Sequence, residues 1–110
     1  MIIEVIGGAD EVPEVRVADV EDLTRLHLAV GAVTDEEADA ALRAAGLGRL
    51  TGDDTGVVSV AALRAAAEPR AKAPDWAERF DAMVIYAADR GWTADDGAGL
   101  QLHVEPAASA

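Results

Sequence analysis

The chain has 110 residues, a net charge of −12 and no cysteine. It therefore has room for one domain with one modest core, and disulfides, thiolate metal sites and thiol nucleophiles are excluded. The hydrophobic fraction of 51% includes 25 alanines, so only 31 positions carry Val, Ile, Leu, Met or an aromatic ring and the core must be thin. The charge has the wrong sign for direct contact with nucleic-acid phosphates or anionic membrane surfaces, and no apolar run approaches the ~18 residues of a spanning helix.

The acidity is uneven: residues 1–40 hold 11 acids against 2 bases, and the remainder holds 10 against 7. An acidic face attracts a basic partner or mimics nucleic acid, although acidity also simply confers solubility. Lysine occurs once, at Lys72, against eight arginines, and asparagine is absent, a pattern expected of a GC-rich bacterial genome. No basic region precedes an apolar one at the start of the chain, so the expectation is a cytoplasmic protein without a membrane segment.

In chain order, Ile2 to Ile6 is β-rich and ends in Gly7-Gly8. After an acidic turn, Val15 and Val17 alternate with Glu14, Arg16 and Ala18, which predicts an antiparallel pair. Asp19 then reads as the cap of a helix running to Gly31, with Val20, Leu23, Leu26, His27 and Val30 on its inner stripe and Leu28 exposed on the other side. Thr34 and Glu37 form a capping box for the next helix, Val33 is placed to staple onto Ala38, and Gly46 ends the element. Arg49 to Thr51, a GDDTG turn and Val57 to Val60 predict a second hairpin, followed by a short helix capped near Ser59. A helix-turn-helix over 19–45 is conceivable, but its second helix presents Asp35, Glu36 and Asp39, which rules out a DNA reader on electrostatics.

After a loop from Pro69 to Pro74 comes the most distinctive stretch, Pro74 to Trp92, with both tryptophans and the only Phe and Tyr. Asp75 and Glu78 read as its D-x-x-E start, and Gly91 as its left-handed stop, with Trp92 folding back toward Ala87. At about 100° per residue, Trp76, Phe80, Met83, Val84 and Ala87 share the core stripe. Ile85 projects about 140° from Phe80, and Tyr86 lies on the flank near Arg79 and Arg90. An exposed isoleucine is ordinary; the functional alternative is that Ile85, Tyr86, Arg79 and Arg90, with Leu28, belong to an interaction surface. ADDGAG then leads to a last strand in which Leu100, Leu102 and Val104 alternate with Gln101, His103 and Glu105.

The expected order is ββααββααβ. This is an α+β fold of about five mostly antiparallel strands and four helices, one domain over residues 1–105 with 106–110 fraying.

Catalytic signatures are scarce. The paired aspartates of TGDDTG and TADDGAG suggest calcium or magnesium, but neither loop matches the spacing or the six to eight oxygens that calcium takes. His27, His103 and Glu105 are a conceivable metal or acid–base set, although nothing in the spacing brings them together. Gly97-Ala98-Gly99 leads into a strand, whereas a phosphate loop leads out of one, and neither Ser59 nor Ser109 has a nucleophile's setting. The sequence points to a small acidic, non-catalytic protein with no cofactor, acting by protein–protein interaction in an accessory, regulatory or antitoxin-like role. Its partner is expected to be a basic protein or a second copy. The alternatives are an enzyme or metal-binding domain using His27, His103 and Glu105, and an acidic nucleic-acid mimic.

Overall fold

Ile3 and Val5, every second residue after Met1, have no exposed surface, and that period of two builds strand β1 (Ile2–Ile6). The structure is a computed structural model that describes residues 1–7, 13–52 and 54–106. Strand β2 (Glu14–Ala18) pairs antiparallel with β1, Val17 opposite Ile3, while β3 (His27–Gly31) runs parallel along the other edge with Leu28 opposite Ile3. The expected acidic turn between β1 and β2 lies outside the described residues.

Helix α1 (Asp35–Ala44) begins as the sequence dictates: Glu37 N–H donates to Thr34 Oγ1 at 3.1 Å, and Thr34 N–H donates to the Glu37 carboxylate at 2.9 Å. Its end is a Schellman closure, with Gly46 at φ +70° and Leu47 N–H donating to Leu42 C=O at 3.1 Å. Strands β4 (Gly48–Leu50) and β5 (Thr55–Ser59) form the second hairpin, and Ser59 caps helix α2 (Val60–Ala67) through its hydroxyl. A 3-10 turn (Glu68–Arg70) precedes helix α3 (Trp76–Asp89), and β6 (Thr93–Ala94) and β7 (Gly99–Pro106) complete the sheet.

The strand order β2-β1-β3-β7-β5-β4, with β6 added beside β7, makes one mixed sheet that curls around the helices. Ile3, Val5, Leu28, Val58, Leu100 and Leu102 meet Leu42 of α1, Leu63 of α2 and Trp76 and Phe80 of α3 in a single core. Because alanine dominates the helix faces, the two stacked rings of Trp76 and Phe80 (5.1 Å, 22°) fill space that aliphatic residues would otherwise occupy. No helix among the described residues is long and apolar enough to cross a membrane.

The α+β class holds, but the count does not: the described residues form seven strands and three α-helices, and two of the strand pairings are parallel. The main correction falls on residues 19–31, where the expected helix is a series of turns followed by β3. Asp19 has φ +51° and caps nothing, while Asp22 binds both the backbone N–H and the hydroxyl of Thr24 in a local turn. Leu28, expected on the surface, is fully buried, because β3 sits between two strands and its successive residues Leu28 and Ala29 are both covered.

Tertiary bonds hold this segment in place. Trp76 Nε1 donates to Val20 C=O at 2.6 Å, Arg79 donates to Glu21 C=O, and Arg70 donates to Val17 C=O. The Glu21 carboxylate in turn accepts from the N–H groups of Lys72 and Ala73. Asp75 is the second correction. It precedes α3 at φ −98°, ψ 11° and makes no side-chain cap bond. Thr93–Ala94, expected within a turn, pairs with Gly99–Leu100 as β6. The tail beyond Pro106 lies outside the described residues.

Candidate functional site

A strand has two edges, and those of β7 are used differently. Strand β5 covers one edge from Gly99 to His103, and Val104 N–H extends that pairing to Asp54 C=O at 2.9 Å. The other edge is divided: β6 stands in register with Gly99 and Leu100, and β3 with Val104 to Pro106. Gln101 N–H reaches Trp92 C=O at 2.9 Å, but neither β6 nor β3 pairs in register with 101–103. Three residues of strand span about 10 Å. The sheet is therefore notched there.

A pocket of about 600 Å3 occupies this notch. Leu100 and Leu102 of β7, Met83 and Ala87 of α3, and Leu23 and Leu26 from the turns before β3 make its apolar surface. Thr24, Thr55, Gln101 and His103 add polar groups, and none of the twelve lining residues is Asp, Glu, Lys or Arg. In a chain with 30 such residues (9 basic and 21 acidic), that lining is distinctive.

Tyr86 and Trp92 complete the wall, and the end of α3 explains their placement. Gly91 at φ +77° turns the chain, so Trp92 N–H donates to Ala87 C=O at 2.8 Å, closing the helix in the Schellman manner that the sequence implied. This folds the indole back against Tyr86 in an edge-to-face pair with centroids 5.9 Å apart. Arg90 lies over both rings, 5.0 Å from Tyr86 and 5.9 Å from Trp92. Both rings nevertheless remain about half exposed.

Of the residues singled out from sequence, Tyr86, Arg90 and His103 come together around the notch, whereas Leu28 is in the core. Ile85 is 63% exposed on an outer side of α3 and does not line the notch, and Arg79 is occupied by the Glu21 carbonyl. His27 and Glu105 meet, Nε2 to Oε2 at 3.3 Å, while His27 Nδ1 faces Arg25 C=O at 2.9 Å. Both ring nitrogens thus face oxygen atoms. His103 lies in the notch lining and not with this pair, and among the described residues no three His, Asp or Glu side chains gather as a metal requires. Trp92, Leu23 and Leu26 were not anticipated as site residues. The signal for Trp92 was present, since a large ring just past a helix-stopping glycine has no place on the helix's own core stripe.

The aspartate loops serve the fold. Arg49 grips the Asp95 carboxylate with two nitrogens, at 3.0 and 3.3 Å, which holds Asp95 below the usual carboxylate range and raises Arg49. Asp39 accepts from Arg43 and from Leu50 N–H, each at 2.8 Å. Those bonds, the arginine's first, keep its carboxyl below the ordinary value and tie α1 to β4. Asp53 of the first loop lies outside the described residues. No protein-family model matches the chain, and neither a curated protein nor a solved structure matches it.

Proposed function

We propose that this chain is a non-catalytic protein that works by binding another protein through the outer side of the last turns of α3. The observation that carries the reading is the clustering of Ile85, Tyr86 and Trp92, the exposed large apolar side chains among the described residues, within eight positions. Their surroundings specify the partner's chemistry. Ile85 has exposed Asp89 four residues after it and Glu78 two turns before it, with Asp81 between them paired to Arg64 at 2.8 Å, so the fitting partner presents an apolar segment flanked by basic groups. The overall charge of −12 works in the same direction and against self-association. An accessory, regulatory or antitoxin-like role fits such a surface.

The test is a photo-crosslinking residue at position 85 in the producing cell, with the exposed Ala40 of α1 as the control site. A discrete heterologous adduct at 85, absent at 40 and lost when Glu78 and Asp89 are neutralised, is the expected result. Sedimentation of the purified chain should show a monomer. A wild-type dimer that Ile85→Asp converts to a folded monomer would replace the basic partner with a second copy of the chain.

A further inference from the structure

We propose that the notch beside β7 is a binding site for an uncharged, largely apolar small molecule carrying a ring. This goes beyond the partner surface, with which the notch shares Tyr86 and Trp92; Ile85, the position that tests the surface, is not part of the notch, so the two readings fail separately. Three features define the ligand. The volume, about 600 Å3, is that of a small-molecule site, in the middle of the common range. The lining has an aliphatic floor and no ionic side chain, so a charged group entering it would lose hydration; the Arg90 guanidinium lies beside the lining, already stacked over Tyr86 and Trp92. The two walls differ in character. Tyr86 and Trp92 offer ring surfaces, held in a fixed mutual angle by the α3 closure and by Arg90 above them. Gln101 and His103 offer hydrogen bonds to one or two neutral polar substituents, while the hydroxyls of Thr24 and Thr55 are engaged with Asp22 and Thr51.

The notch is also built into the fold. It exists because the pairing of β6 with β7 stops at Leu100 and that of β3 starts only at Val104, so its width is set by backbone pairing and not by side-chain positions alone. A site framed in this way is preformed, which spares a ligand the cost of ordering it.

The probe is N-phenyl-1-naphthylamine, a neutral two-ring amine whose fluorescence rises on entering an apolar site and which accepts energy from a nearby indole. Saturable binding of one probe per chain is expected, with energy transfer that falls in Trp92→Phe. The anionic analogue 8-anilinonaphthalene-1-sulfonate should bind at least tenfold more weakly. Met83→Trp and Thr55→Trp each place a large ring at a residue that lines the notch; either one, if folded by circular dichroism, should weaken binding tenfold or more. Absence of saturable binding, equal affinity for the anionic probe, or wild-type affinity in a folded filled variant would each overturn the assignment.

Discussion

Replacing Trp76 with Phe tests the account of how residues 19–26 are held. The indole is 2% exposed, and its Nε1 donates to Val20 C=O at 2.6 Å, 56 positions earlier in the chain. A phenyl ring keeps the stack on Phe80 but leaves the buried carbonyl without its donor, at about 1–3 kcal/mol. The smaller ring also gives up apolar contact worth roughly 1 kcal/mol, so the total is about 3 kcal/mol. With an unfolding entropy of ~2.1 cal/mol/K per residue, 110 residues give about 0.23 kcal/mol/K, and Tm should fall by about 13 °C. Urea unfolding followed by circular dichroism should show a lower midpoint at an unchanged slope, and the amides of Lys72 and Ala73, which donate to Glu21, should exchange faster. Trp92→Phe is the internal reference: its ring is half exposed, and it should cost under ~1 kcal/mol. A loss below ~1 kcal/mol in Trp76→Phe would mean that the Val20 carbonyl finds another donor and that the segment is anchored by other contacts.

Two further predictions concern stability. Gly56→Ala places a Cβ 2.5 Å from Leu28 Cδ1 and 3.0 Å from Arg49 C=O; the overpacking should cost about 1–3 kcal/mol, read as a lower urea midpoint. Asp39 has a depressed carboxyl in the folded state, so its contribution is full above the unfolded value of about 3.9 and is lost as pH falls through the folded value. The wild type should therefore exceed Asp39→Asn in stability at pH 7, with the difference narrowing as pH falls below about 3.9; a difference that stays constant down to acid unfolding would refute the assignment.

Elements bounded by local chemistry were legible in the sequence. The box of Thr34 and Glu37, the Ser59 cap and the Gly46 and Gly91 stops each act within a few residues, and the structure keeps all of them. The alternation of β7 also survives, with Leu100 and Leu102 buried and Gln101 and His103 exposed. What failed was the stretch whose conformation is decided from outside. Val20, Leu23, Leu26 and Val30 recur at three or four residues, as in a helix, yet Val20 and Leu23 enter the core from turns and Leu28-Ala29-Val30 is a strand between two others. A strand covered on both faces has no reason to alternate, so its pattern cannot be told from that of a short helix. Asp75 failed for a related reason: a cap needs an extended backbone, and Trp76 N–H is already given to Ala73 C=O in a turn. The notch was invisible for the same reason, since it is defined by which strands pair and where each stops.

The position of β7 constrains how the chain is made. It follows the other six described strands in sequence, yet it lies between β3 and β5 and joins the two parts of the sheet. During synthesis, residues 1–98 emerge with the edges of β3 and β5 both unpaired, and closure waits for the final strand. A ribosome pausing or terminating before Gly99 would thus release two adhesive edges at once, the kind that chains pair through when they aggregate. Supplying Gly99–Pro106 in trans as a peptide should rescue such a truncated chain.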